Sequence, residues 1–311
     1  MKKRIPAQNH SAIACCPNED LVVGGTGSES YLLDREGQFK MELIPDNRND
    51  KTVLHVRGVA VSRHGYIMLI DNTKFVKVFA STGKYNHRFT TLSSREDPES
   101  VHVSLVCVTT DREGHQVLVG DGMRNVITIH RCPDGELLNR IECSMGLSDN
   151  THMVVNRKQQ ILIHTTHDDD QSGTTKVTVI DYCGNTLFTF APKIEDTRDR
   201  HLLECGIVCD PYDNIYLALK DYGRNHTGHI HKYSPTGMYL ECIYKGLWPA
   251  DLTMKHNDGS LVVANMGSIL IFREGLPSLN IDERIREVGM ATEHVLQEAR
   301  KFHDKLNAIY P

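Results

Sequence analysis

Short apolar runs separated by tight turns alternate along most of this chain. The clearest stretch begins at Arg57 and reads RGVAVSRHGYIMLIDNTKFVKVFASTGKYNHRF. In GVAV, YIML and FVKVF the apolar residues fill most successive positions instead of every second one, as expected for strands covered on both faces. Gly65 and Gly83 fall between runs, where a tight hairpin needs a residue that tolerates positive φ. The pattern predicts four short strands in succession, the third and fourth joined at Thr82-Gly83.

The same arrangement recurs. Its first half returns as SAIACCPNEDLVVGG from Ser11, SLVCVTTDREGHQVLVGD from Ser104 and HMVVNRKQQILIHT from His152. It returns again as GIVCDPYDNIYLAL from Gly206 and ADLTMKHNDGSLVVAN from Ala250. The second halves carry turn glycines at Gly37, Gly83, Gly135, Gly184, Gly237 and Gly275. Six copies at a period of roughly 46 to 53 residues, four strands each, are the signature of a six-bladed β-propeller. One such sheet cannot cover both of its faces, so the ring has to close. The sixth copy stops after its third strand at Phe272, and a spare segment, Lys2–Ala7, precedes the first inner strand. That segment is expected to supply the missing outer strand, an edge position where Pro6 is tolerated.

The stretch from Arg57 resembles an NHL repeat. Gly58, Val59, Ala60, Val61, Gly65, Asp71, Val76, Val78, Phe79 and Gly83 stand at the positions of that repeat's pattern. The resemblance covers roughly residues 1 to 275, although the fourth copy lacks both the leading glycine and the Asp. NHL propellers most often form the C-terminal domain of TRIM-NHL ubiquitin ligases. The resemblance implies a module that binds a substrate or partner, and in several members single-stranded RNA. No Cys/His array like a RING or B-box is present, so ligase chemistry is not expected in this chain.

After the propeller, residues 1–276, the character changes. Residues 277–311 read as an amphipathic helix running from Ile281 to about Ala308. Asn280 and Glu283 form a capping box, and Ile281, Ile285, Val288, Thr292, Val295, Ala299, Phe302 and Leu306 form a heptad seam. The seam suits either packing against the ring or self-association as a coiled coil. In TRIM-NHL proteins the coiled coil comes before the propeller, so this order departs from theirs.

In a propeller, the inter-blade connections and the turns between second and third strands share one face. The first and last hairpin turns lie on the other. The first face receives the longer loops, and loops on a rigid ring are where function concentrates. Those loops sum to a negative charge, a poor match for phosphates and a better one for a basic protein surface. Candidate partner-binding residues there are Arg95, Glu96, Asp168, Asp169, Asp170, Tyr222, Arg224, Tyr244 and Trp248. Trp248, the one tryptophan, suits an anchor or a wedge between blades. RNA binding through this face is disfavoured but stands as the alternative reading.

Composition adds limits. The formal net charge is −5, and 40% of residues are apolar. No run approaches the roughly 20 apolar residues that cross a bilayer, and the first residues make a poor signal peptide, so no membrane role is expected. Nine cysteines without CxxC pairs read as small buried residues of a reducing compartment, cytosolic or nuclear, with a cytoplasmic location favoured. The two sharpest histidine clusters are His164 and His167 beside Asp168–Asp170, and His226, His229 and His231. Neither promises a closed ligand set, so no metal or cofactor is expected. The inner strands offer Asp251 as the main ionisable channel residue, which makes no acid–base pair. A metal-dependent propeller hydrolase or lyase is therefore the third reading, behind a non-catalytic scaffold.

Overall fold

The computed structural model describes residues 3–6, 10–25, 30–45, 55–96, 100–166, 175–192, 202–221 and 228–272. Strand β1 is Lys3–Pro6. Blade 1 follows as β2 (His10–Cys15), β3 (Leu21–Gly25), β4 (Ser30–Leu33) and β5 (Phe39–Glu42). Blade 2 is β6 (Gly58–Val61), β7 (Ile67–Ile70), β8 (Phe75–Phe79) and β9 (Tyr85–Thr90). Blade 3 is β10 (Leu105–Thr110), β11 (Gln116–Asp121), β12 (Val126–Arg131) and β13 (Leu137–Glu142). Blade 4 is β14 (His152–Val155), β15 (Ile161–Thr166), β16 (Thr175–Ile180) and β17 (Thr186–Phe190). Blade 5 is β18 (Leu202–Cys209), β19 (Ile215–Asp221), β20 (Gly228–Tyr233) and β21 (Tyr239–Leu247). Blade 6 is β22 (Pro249–Met254), β23 (Leu261–Asn265) and β24 (Ser268–Phe272).

Every sheet is four-stranded and antiparallel in simple meander order, except that blade 6 runs β22-β23-β24-β1. Strand β1 pairs with β24 from Lys3 opposite Ile271 to Pro6 opposite Ser268. The N-terminal strand thus fastens the ring, with its proline on the outermost edge, where no further strand needs its missing N–H. Each inner strand neighbours the next around the circle, including β2 against β22.

The buried side chains divide as a closed ring requires. Six apolar clusters each draw on two adjacent blades, one cluster per interface. Consecutive residues of one strand serve opposite interfaces: Val22 packs toward blade 2, while Leu21 and Val23 pack toward blade 6. This is why the strands read as continuous apolar runs. The closing interface contains Ile13, Val23, Ile269 and Ile271, so β1 covers the edge of a strand whose side chains belong to the core.

The last-hairpin glycines behave as their turns demand; Gly37, Gly83, Gly135, Gly184 and Gly237 all have φ near +80°. All nine cysteines are free, and six are buried. Burial pushes the thiols of Cys15, Cys16 and Cys107 up to about 12, so they behave as small apolar fillers. Among the described residues every regular element is a strand. The helix expected over 281–308 lies outside them, as does Gly275.

Candidate functional site

The inner strands enclose a channel of about 760 Å³. Its wall between the rims is backbone with apolar and hydroxyl side chains, interrupted by Asp251 and His152. Asp251, the third residue of β22, accepts hydrogen bonds from the Ile13 N–H at 2.9 Å and the Leu252 N–H at 2.7 Å. Gly206 of β18 leaves room for it, since a Cβ there would sit 2.6 Å from Asp251 Oδ1. The carboxyl therefore clasps blade 6 to blade 1 against blade 5, beside the closing interface. Burial pushes it up to about 7, against the pull of the two N–H groups. His152, at the start of β14, is brought down to about 4 by burial and by the Lys220 charge. These two groups stand on blades 6 and 4.

The rim on the first-hairpin side is laced by cations that the sequence reading missed. Arg63 pairs with Glu113 at 3.0 Å, and Lys255 with Glu19 at 3.4 Å. Arg157 donates to the Pro211 carbonyl at 2.8 Å. Arg112 reaches from blade 3 to the Asp210 carbonyl of blade 5 at 2.6 Å. The neighbouring acids serve their own turns: Asp210 accepts from the Tyr212 and Asn214 N–H groups, and Asp111 from that of Gln116. A signal for this was present, because Arg63, Arg112 and Arg157 occupy the same turn position in successive copies.

On the opposite, inter-blade face, Arg57 donates to Asp149 at 2.5 Å, to Asn72 at 2.9 Å and to Ser104 at 3.2 Å. Trp248 lies half-buried just before β22, its backbone N–H donating to Asn265 Oδ1 at 2.7 Å. Lys220 Nζ stands 5.9 Å from the centre of its ring, at the far end of a cation–π contact. Lys220 thus links Trp248 to His152 on the channel wall, which Arg57 also lines.

The residues singled out from the sequence separate on this frame. Arg95 is exposed in the loop after β9. Its neighbour Glu96 accepts the Ser93 N–H at 2.7 Å and pairs with Arg124 and Arg140, each at 3.4 Å. Those contacts, the Ser93 N–H foremost, hold its carboxyl below the usual range. Tyr244 lies within the outer strand β21, not in a loop, and packs on Phe272 of blade 6 at 5.4 Å. Asp168, Asp169, Asp170, Tyr222 and Arg224 lie outside the described residues.

The histidines also separate. His164 is fully buried on β15, its Nε2 2.8 Å from Thr175 Oγ1, and burial holds it neutral. His167 and His226 lie outside the described residues. His229 and His231 instead share a face of β20 with Cys242 of β21, and one ligand atom from each lies within 4.8 Å of the others.

No family model matches the chain, and no curated protein matches it. Solved structures do. Kuenenia stuttgartiensis hydrazine synthase aligns at a TM-score of 0.61 with 12% identity, covering 89% of this chain and 98% of that one. The Myceliophteria thermophila Cps50 (Swd1) beta-propeller domain aligns at 0.55 with 11% identity, covering 88% and 100%. The RRP9 WD40 repeats align at 0.61 with 10% identity, covering 87% and 96%. The chain is a six-bladed β-propeller. At these identities the likeness is one of fold.

Proposed function

We propose that this propeller is a non-catalytic interaction scaffold of NHL type, recruiting a protein partner through its inter-blade loop face. The observation that carries the reading is the placement of Trp248. Trp248, half-buried with Lys220 near its ring, stands in the connection between blades 5 and 6. A tryptophan on a rigid face is a frequent anchor in protein interfaces. A propeller fold, shared with WD40 repeats, supports partner binding in general. The NHL resemblance supports recruitment for a TRIM-type ubiquitin ligase in particular. The acidic loop residues Asp168, Asp169 and Asp170 would add charge complementary to a basic partner segment. A non-catalytic role is supported by the channel carboxyl being engaged as a clasp between blades 6 and 1.

The test is comparative affinity purification after nuclease treatment. The wild type is compared with Trp248→Ala and with a variant carrying Asp168→Asn, Asp169→Asn and Asp170→Asn. The expected result is a common set of proteins lost from both variants. Identical retention by all three overturns the face assignment. Salt-sensitive, submicromolar binding of U-rich RNA with no protein retained would replace this reading with the RNA one.

A further inference from the structure

The geometry points to a zinc site on the outer half of blade 5, made by His229, His231 and Cys242. Residues two apart on a strand project from the same face, so β20 supplies the two imidazoles. Cys242 joins them through a register shift. Ile230 stands opposite Tyr244, but His231 stands opposite Cys242, so Ile243 is the extra residue of a bulge. Without that bulge, Ile243 would face His231. With it, Ile243 packs beside Ile230 in the interface toward blade 6, and the thiol turns to the histidine side.

The three ligand atoms lie within 4.8 Å of one another. Tetrahedral zinc with ordinary Zn–N and Zn–S bonds needs donors roughly 3.3 to 3.7 Å apart. Side-chain rotation closes that gap without moving the strands. An imidazole pair with a thiolate is a soft-to-borderline donor set that favours zinc over magnesium or calcium. A hydrogen-bonding group also stands behind one ligand. His231 Nδ1 lies 3.3 Å from the Tyr233 hydroxyl, which orients the ring and turns Nε2 toward the cation. Tyr233 and Tyr239 pack edge-on to each other, and Phe190 of blade 4 closes on Tyr233, giving the site an apolar backing. Cys242 is half-buried on the outermost strand, which leaves a way in from solvent. On binding, the thiol gives up its proton to solvent along with its 3.4 Å contact to the Tyr244 carbonyl. Water takes the fourth position. The ion then staples β21, whose pairing with β20 is interrupted by three register shifts, to the rest of the blade.

Cobalt(II) titration of the metal-free full chain tests this, because a cobalt–thiolate bond gives a charge-transfer band that imidazole and carboxylate sites lack. One equivalent should develop the band, and zinc should displace it. Cys242→Ser should abolish the band and weaken zinc by at least about 100-fold, while the other eight cysteines remain. His229→Gln, at a half-buried position, should weaken zinc at least about tenfold and keep the band. A wild-type protein without the band, or a band that survives Cys242→Ser, overturns the site. Both readouts are spectroscopic and independent of partner binding.

Discussion

Asp71 and Lys77 make a fully buried ion pair in blade 2, with side chains 0% and 2% exposed. Asp71 follows β7 and also accepts the Thr73 N–H at 3.0 Å and the Thr73 hydroxyl at 2.6 Å, closing the turn into β8. Removing one member of such a pair leaves a charge in low dielectric and typically costs about 3–5 kcal/mol. Lys77→Met keeps the length of the side chain and deletes its charge. Because Asp71 retains two donors from Thr73, the expected loss is near the lower limit, about 3 kcal/mol. Adding Asp71→Asn removes the stranded charge and keeps an acceptor for the turn. The double variant should therefore recover about 2 kcal/mol of that loss. Urea unfolding, followed by circular dichroism and by the single tryptophan, measures all three proteins. Trp248 sits between blades 5 and 6, so a fluorescence midpoint that moves with the dichroism also shows that damage in blade 2 reaches the far side of the ring. A loss below about 1 kcal/mol for Lys77→Met, or a double variant no better than the single one, would refute the reasoning.

Deleting residues 1–6 removes β1 and bares the edge of β24, whose residues lie in the closing and neighbouring interfaces. At about 1 kcal/mol for each hydrogen bond of a four-residue pairing, the expected loss is about 2–4 kcal/mol. It should appear as a lower urea midpoint and concentration-dependent aggregation, and an unchanged midpoint would contradict closure by this strand. The buried histidines set an acid limit. His130 and His164 are both 0% exposed; His130 is lowered to about 4 and His164 well below 6.5, burial being the cause in each. From about pH 6.5 down to 4 the unfolded chain takes up a proton that folded His130 refuses, so stability falls through that window, and His164 acts in the same direction. The loss should be about 2 kcal/mol for His130 at pH 5. Asp251 acts in the opposite sense, since its folded value of about 7 exceeds the unfolded one and its protonation below pH 7 relieves a penalty. Asp251→Asn should therefore steepen the acid loss of the urea midpoint, and a flatter profile would contradict its clasp role.

The ring was legible because its demands are local and repeat. Every strand must be apolar on both sides, and every last hairpin needs a residue at positive φ, so runs such as YIMLI and turns such as Thr82-Gly83 announce themselves. The closing strand could also be inferred, from a sixth copy one strand short. Contacts that depend on closure left less trace. Arg112 meets the Asp210 carbonyl 98 residues away because a circle brings blades 3 and 5 to one rim. The convergence of Cys242 with His231 depends on extra residues in β21; counting outward from the Tyr233–Tyr239 pair without a shift places Glu241 opposite His231 instead. Tyr244 was misplaced for a related reason: β21 runs on to Leu247, so a residue expected in a connecting loop lies within the outer strand.

The blades also differ in how they secure the end of the second strand, and this is one physical reason a repeat pattern fades while the fold persists. Blade 2 uses Asp71 on Lys77. Blade 3 uses Asp121, which accepts the Ser104, Met123 and Arg124 N–H groups and the Arg124 side chain. Blade 4 has neither acid at this place among its described residues; its second strand buries His164, neutral and bonded to Thr175, instead. Each arrangement gives a buried polar group a partner beside the same apolar interfaces, although His164 Nδ1 is left without one, so the ring can exchange one for another without altering its geometry. A buried neutral imidazole loses ground in acid, because the unfolded chain takes up a proton below about pH 6.5 that the folded ring refuses, so His164 in blade 4, like His130 in blade 3, weakens the ring as the pH falls.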